Sequence, residues 1–211
     1  MTSSIMKKKY SCKNVTISGL PGSGTTTLLQ LLKIELKFDG WTGYSGGEFM
    51  RQYAVEKGLY NNKQKIHHDA MAYGEDFDRQ IDLGIRENLQ SKEKWIIESW
   101  LSGFMAQGLP DVLKILVTCP NDSVRIDRIV NRDEVTVEEA KRHLQQRYEV
   151  NLKKWSNMYA EQWQKWVVGH DLAESNEKID FWKPELYDLV IDTYSSNQQQ
   201  ATKIALDAII V

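Results

Sequence analysis

Two cysteines, Cys12 and Cys119, are all the sulfur-bridging capacity in 211 residues, and neither has a second cysteine or histidine at metal-ligand spacing. A disulfide framework is thereby excluded as the source of the fold, and the usage fits a reducing, cytoplasmic compartment. Charge of one sign is also lacking. With 27 basic and 29 acidic side chains the formal net charge is -2, so no global basic field announces a nucleic-acid partner, and small molecules are the expected partners. No apolar run reaches membrane-spanning length, and Lys7-Lys8-Lys9 near the start is not followed by an apolar stretch of signal-peptide form, so no membrane association is expected. No internal repeat is evident, and Gln198–Gln200 is too short to form a low-complexity segment. At this length the chain suits one α/β domain with a moderate insertion and a substantial core.

One further absence lies inside the most informative stretch. Asn14-Val15-Thr16-Ile17 reads as a short buried strand, Ser18 to Gly24 as a glycine-rich turn, and Thr25 onward through Leu28, Leu29, Leu31 and Leu32 as a helix. Glycines let the backbone approach an anion, and a helix N-terminus supplies unpaired N–H groups, so this junction is a phosphate nest. The nucleotide motif G-x-x-x-x-G-K-[ST] is met by Gly19, Gly24 and Thr26, but Thr25 stands at the lysine position. Backbone N–H groups of about residues 22 to 27, with Pro21, Ser23 and Thr27 in the same segment, are expected to cradle a donor phosphate, and the Thr26 hydroxyl to meet Mg²⁺.

Further strands are expected at 41–48, at Trp95-Ile96-Ile97-Glu98, at Val112–Val117 and at Tyr187–Thr193. Ser45 or the glycines after it are expected to cap a helix that Gly58 stops. His67, His68 and Asp69 are adjacent and poorly placed to converge on a metal. A helix over Asp76–Gln90 carries an apolar stripe at Ile81, Ile85 and Leu89, with Arg79 and Asp82 three apart beside it. Glu98 ends the third strand at the carboxyl edge where ligands sit in parallel sheets, and a carboxylate there can order Mg²⁺-bound water, as can Asp192.

Arg125, Arg128 and Arg132 recur at helical spacing after Asn121. A second helix, with Thr136 as its cap, is expected to run through Arg147 and Lys154 to about Trp166. A helical hairpin with cations on one side suits a lid over polyphosphate. Trp155, Trp163, Trp166, Tyr148 and Tyr159 fit core or lid packing better than base stacking. Residues 169–184 read as a polar excursion, and a terminal helix from Ala201 to about Val211 is expected to pack Ile204, Leu206, Ile209 and Ile210 on the sheet.

The ordered set of motifs resembles the nucleoside monophosphate kinases, most closely the archaeal-type cytidylate kinases, over most of residues 14–160 and the final strand. Ile17–Thr27 is similar to that family's phosphate loop, threonine in place of lysine included. The resemblance implies a P-loop NTPase-like three-layer α/β fold with a central five-stranded parallel sheet and a helical lid. It implies a tail at 1–13 and a single kinase domain at 14–211, with an acceptor region at 41–92 and the lid at about 121–170. It also implies ATP- and Mg²⁺-dependent phosphoryl transfer to a nucleoside monophosphate, CMP or dCMP, by a monomer.

In that family's terms Arg51, in Ser45–Arg51, clamps the acceptor phosphate, and Asp82, in Asp78–Asp82, positions the acceptor base. Arg125, Arg128, Arg147 and Lys154 stand for the lid's phosphate-facing cations. The family's Glu-Gly-Arg at the third strand is Glu98-Ser99-Trp100 here. Loss of that arginine leaves Arg79 or Arg86 to compensate, or lets Trp100 select another acceptor. A kinase of a different small acceptor and a nucleotide-binding interaction protein of weak activity are the alternatives.

Overall fold

In a computed structural model, residues 9–49, 52 and 75–211 are described. Five strands, β1 (Asn14–Ser18), β2 (Thr42–Ser45), β3 (Trp95–Glu98), β4 (Val112–Thr118) and β5 (Leu189–Asp192), form one sheet in the order β2-β3-β1-β4-β5. Every pairing is parallel. β1 is therefore central, as its five fully buried residues require.

Alternation across the pleat divides the core. Val15, Ile17, Ile96, Ile115 and Val117 face the helices α1 (Thr25–Leu36) and α7 (Gln198–Ile209), where Leu28, Leu29, Leu32, Leu36, Ala201, Ala205 and Ile209 meet them. Ile97, Val112 and Leu116 face the other way, onto α2 (Glu75–Ser91), the short α3 (Ser102–Met105) and α6 (Ala160–Trp166). The expected stripe Ile81, Ile85 and Leu89 is the buried side of α2. The remaining helices, α4 (Asp122–Asp133) and α5 (Val137–Met158), form the arginine-bearing hairpin. Among the described residues no helix is long and apolar enough to cross a membrane.

Caps account for several boundaries. Thr136 and Glu139 form a reciprocal capping box at α5, as do Asn197 and Gln200 at α7, and Ser45 and Glu48 make the same exchange after β2. The box at Asn197 starts α7 three residues before the expected Ala201. It also turns Ala201 and Ala205 inward and leaves Ile204 exposed, against the expectation that Ile204 packs on the sheet.

Two other expectations need correction. The helix expected to run unbroken to Trp166 ends at Met158, because Tyr159 leaves helical geometry and buries its ring completely. The segment expected as a polar excursion inserts Phe181 and Trp182 into the core, where Phe181 lies 4.8 Å from Phe104 and 5.8 Å from Trp163, centroid to centroid. Tyr159 and Trp163 are buried there too, as the packing reading of the aromatics requires. Gly58, His67, His68 and Asp69 lie outside the described residues, as does Arg51.

Candidate active site

The glycine-rich turn leaves β1 at Ser18 and is wedged between the end of β4 and helix α4. A Cβ on Gly19 would stand 2.4 Å from the Val117 carbonyl oxygen. Gly22 has φ +79°, and a Cβ there would meet the Arg125 carbonyl oxygen at 2.6 Å. No side chain fits either place, so these glycines let two backbones pack against the turn. Gly24, at φ 103°, is the N-cap of α1 and provides no side-chain cap. The first-turn N–H groups of α1 are left for an outside acceptor.

Above the turn lies a cleft of about 920 Å³, lined by Gly19, Pro21, Gly22, Gly24, Thr25, Thr26 and Thr27 on one side and by Glu98, Trp100, Arg128, Arg132 and Arg147 on others. Thr193, Tyr194, Asn197, Gln198 and Gln200 close its far end. The Asn197-x-x-Gln200 capping signal placed those last side chains, and it was legible in the chain. Ser23 is buried within the turn, its N–H bonded to the Leu20 carbonyl at 3.0 Å and its hydroxyl without a partner among the described residues.

The pairing of Ile17 with Glu98 sets that carboxylate at the same sheet edge as the turn. Burial raises Glu98 above its ordinary 4.5, opposed by a hydrogen bond with the Thr25 side chain and by the positive charge of Arg132. Thr25, at the lysine position, is thus engaged with the acid across the cleft. Arg132 is itself held by Asp133 at 2.6 and 2.8 Å.

The expected lid cations divide. Arg125 donates from Nε to the Pro21 carbonyl at 3.1 Å and lies outside the cleft lining. Arg128 donates to the carbonyls of Gly22 (3.1 Å) and Ser23 (3.4 Å) and to both oxygens of Thr193, Oγ1 at 2.8 Å and O at 2.9 Å. Both arginines bond carbonyls of the turn itself, and Arg128 also lines the cleft. Lys154 pairs with Asp78 on α2 and lines neither cavity. The Arg147 guanidinium lies 5.6 Å over the Trp100 ring, and like Arg128 it lines the cleft.

A smaller pocket of about 190 Å³ adjoins. Asp78, Asp82, Ser99, Trp100, Arg147, Asn151 and Trp155 line it, so Trp100 and Arg147 are common to both cavities. Trp100 is fixed edge-on against Trp155 and Trp182, at 5.5 and 6.0 Å between centroids. The Ser99 hydroxyl is buried there with no hydrogen-bond partner among the described residues. Asp82 Oδ2 accepts from the Tyr159 hydroxyl at 2.7 Å, and burial pushes the Asp82 carboxyl up to about 7.

Neither candidate for the missing arginine reaches this pocket's lining. Arg79 donates to the Met158 carbonyl at 3.1 Å. Arg86 donates to the carbonyls of Met105 and Gln107 at 2.7 and 2.8 Å, and stacks 4.0 Å over Trp166.

A family model described as an AAA domain matches residues 15–164. The cytidylate kinase of Methanosarcina barkeri is 34% identical to this chain over 203 residues, covering 93% of this chain and 97% of that protein. The chain belongs to the archaeal-type cytidylate kinases. Another cytidylate kinase, from Methanopyrus kandleri, is 32% identical over 204 residues and is covered to 92%, as is this chain. The fold also matches the crystal structure of an uncharacterized protein from Eubacterium ventriosum, with a TM-score of 0.60 at 14% identity, over 92% of this chain and 96% of that one. In this chain the threonine-bearing turn and Trp100 line one cleft, and the two cavities meet along Trp100 and Arg147.

Proposed function

We propose that the protein transfers the γ-phosphoryl group of ATP to a pyrimidine nucleoside monophosphate, CMP or dCMP. The observation that carries this reading is the shared wall of the two cavities: a nucleotide-sized cleft over a phosphate nest opens beside a base-sized pocket, with Arg147 at the seam. Membership of the family, and relatives named cytidylate kinase over nearly the whole chain, support it.

The residues fit a Mg²⁺–nucleotide donor. Thr26 is exposed at the start of α1 and faces the same cleft as Glu98. Mg²⁺ at nucleotide sites is held by one or two protein oxygens, by waters and by the phosphates themselves. Thr26 would hold the ion directly and Glu98 through water. When bound, the ion neutralises charge on the phosphoryl oxygens.

The chain's own groups then do the rest. The N–H groups of the turn hold the donor phosphates, while Trp100, Asp82 and Asn151 enclose the acceptor base. Arg51 is assigned to the acceptor phosphate. Arg147, with Arg132 nearby, meets the charge that spreads over the transferring group. A phosphate acceptor is already an anion near neutral pH, so no general base is required. Proximity across the seam supplies the remaining advantage. A monomer in the cytoplasm, acting on small molecules, completes the reading.

Purified protein incubated with ATP, Mg²⁺ and each of CMP, dCMP, UMP, AMP, GMP and dTMP should release ADP with CMP or dCMP well above the no-acceptor control. Release independent of any acceptor would replace this reading with an ATPase-like switch. Activity confined to a panel of non-nucleotide metabolites would assign a different small acceptor.

A further inference from the structure

We propose that Arg128 and Thr193 are positioning residues: they form a strut that holds the phosphate turn in its anion-binding shape by its carbonyls and places beside it the positive charge that Thr25 does not supply.

The strut starts at the sheet. Thr193 follows β5, and its N–H donates to the Thr118 carbonyl at 2.9 Å, fastening it to the end of β4. Its hydroxyl lies 2.6 Å from the Ser23 carbonyl oxygen and 3.1 Å from that of Thr118. The hydroxyl donates to the nearer of these and accepts from Arg128 Nη1 at 2.8 Å. Arg128 reaches from α4 to bond the Gly22 and Ser23 carbonyls as well, and its Nη2 takes the Thr193 carbonyl at 2.9 Å. One guanidinium and one hydroxyl thus join α4, the ends of β4 and β5, and two consecutive carbonyls of the turn.

Orientation is the consequence. The C=O and N–H of a trans peptide point in opposite directions. Tying the Ser23 carbonyl to Arg128 and Thr193 therefore turns the Gly24 N–H away from them, and the hold of Arg125 on the Pro21 carbonyl does the same for the Gly22 N–H. Both glycines line the cleft. A Cβ on Gly24 would lie 3.5 Å from Thr193 Cγ2 and 3.9 Å from Arg128 Nη1, so the strut is in contact with the left-handed residue that opens α1.

Charge is the second consequence. Among the described residues Arg128 makes no ion pair with a carboxylate, so its charge is not cancelled, and from the cleft wall it acts on whatever anion the N–H groups hold. Charge-assisted bonds to carbonyls are the stronger kind, which suits a part whose task is rigidity.

This inference rests on the phosphoryl-transfer reading for the identity of the ligand, yet it is read in equilibrium binding and not in turnover. The turn addresses phosphates that ATP and ADP share, so loss of the strut should weaken both alike, whereas loss of a cation that acts on the transferred group should spare ADP. Isothermal titration of ATP and ADP, each with Mg²⁺, into the full chain and into Arg128→Ala, Arg128→Lys, Thr193→Val, Thr193→Ser and the Arg128→Ala/Thr193→Val double variant decides it.

Arg128→Ala should weaken ATP and ADP by the same factor, about tenfold or more. Thr193→Val should weaken both by a smaller common factor, Thr193→Ser should bind as the parent does, and the double variant should be no weaker than Arg128→Ala within about threefold, since coupled groups do not add. Unchanged ADP affinity in Arg128→Ala alongside reduced turnover would overturn the strut and return Arg128 to the lid. Full restoration by Arg128→Lys with a silent Thr193→Val would reduce it to a charge effect and also overturn it. If Arg128→Ala does not fold, the Thr193 pair carries the test alone: equal affinities of Val and Ser variants refute the proposal. Failure of the parent to bind either nucleotide would overturn the inference together with the donor site, while binding of ADP without acceptor-dependent turnover would remove the kinase reading and leave the strut decided by the variants.

Discussion

Replacing Asp82 with asparagine separates the cost of a buried charge from the hydrogen bond it makes. Asparagine keeps an oxygen for the Tyr159 hydroxyl, which donates to Asp82 at 2.7 Å, and removes the ionisation. In the folded chain burial, aided by the nearby charge of Asp78 and opposed by the Tyr159 hydrogen bond and by Lys154, holds the Asp82 proton up to about pH 7, against an ordinary 3.8. The unfolded chain releases that proton near its ordinary value. Between about pH 4 and 7 the unfolded state therefore binds fewer protons, and stability falls as pH rises, levelling off above pH 7. Roughly three pH units at about 1.36 kcal/mol each amount to about 4 kcal/mol at pH 8, of which less than half is already lost at pH 5. The advantage of Asp82→Asn over the parent should grow by about 2 to 3 kcal/mol between pH 5 and pH 8. Urea denaturation of both proteins at pH 5, 6, 7 and 8 reads the difference directly and cancels the titration of every other group. A difference that stays flat over this range would show that Asp82 ionises normally and that the pocket floor is wet.

Arg147→Ala should lower turnover with CMP by about a hundredfold or more while ADP affinity, measured by titration, changes less than about threefold; unchanged turnover would remove Arg147 from the chemistry. Phe181→Ala, at a ring that is fully buried, should cost about 3–5 kcal/mol in denaturant unfolding. A loss below about 1 kcal/mol would mean that residues 169–184 are an appendage to the core.

What was legible in the chain were features with a local cause. β1 and β4 announced themselves by apolar runs, α2 by its stripe at 81, 85 and 89, and α5 by the Thr136 capping signal, because burial and capping act within a turn or two of sequence. The ordered motifs also brought Gly19–Thr27, Glu98, Trp100 and Arg147 to one cleft. What was hidden depended on distant partners. Helical periodicity continues through Tyr159, and only the burial of its ring beside Asp82 breaks the helix there. Phe181 and Trp182 sit in a stretch whose other residues are polar, so composition spoke for the majority and missed the two that pack. Arg86, Arg125 and Arg128 look alike as isolated cations; backbone carbonyls, which have no sequence signature, decide what each one does.

Asn14 begins the central strand fully buried. Its amide donates to the Leu89 and Lys92 carbonyls at 3.0 and 2.8 Å, and its oxygen accepts the Trp95 N–H at 2.9 Å. One side chain thereby pins the last turn of α2 and the start of β3 to the middle of the sheet. Further along, Arg86 on the Met105 and Gln107 carbonyls, the Tyr159 hydroxyl on Asp82, Arg79 on the Met158 carbonyl and Lys154 on Asp78 fasten the same helix. The acidic wall of the smaller pocket is therefore carried on a helix braced along its length and anchored at one end in the central strand.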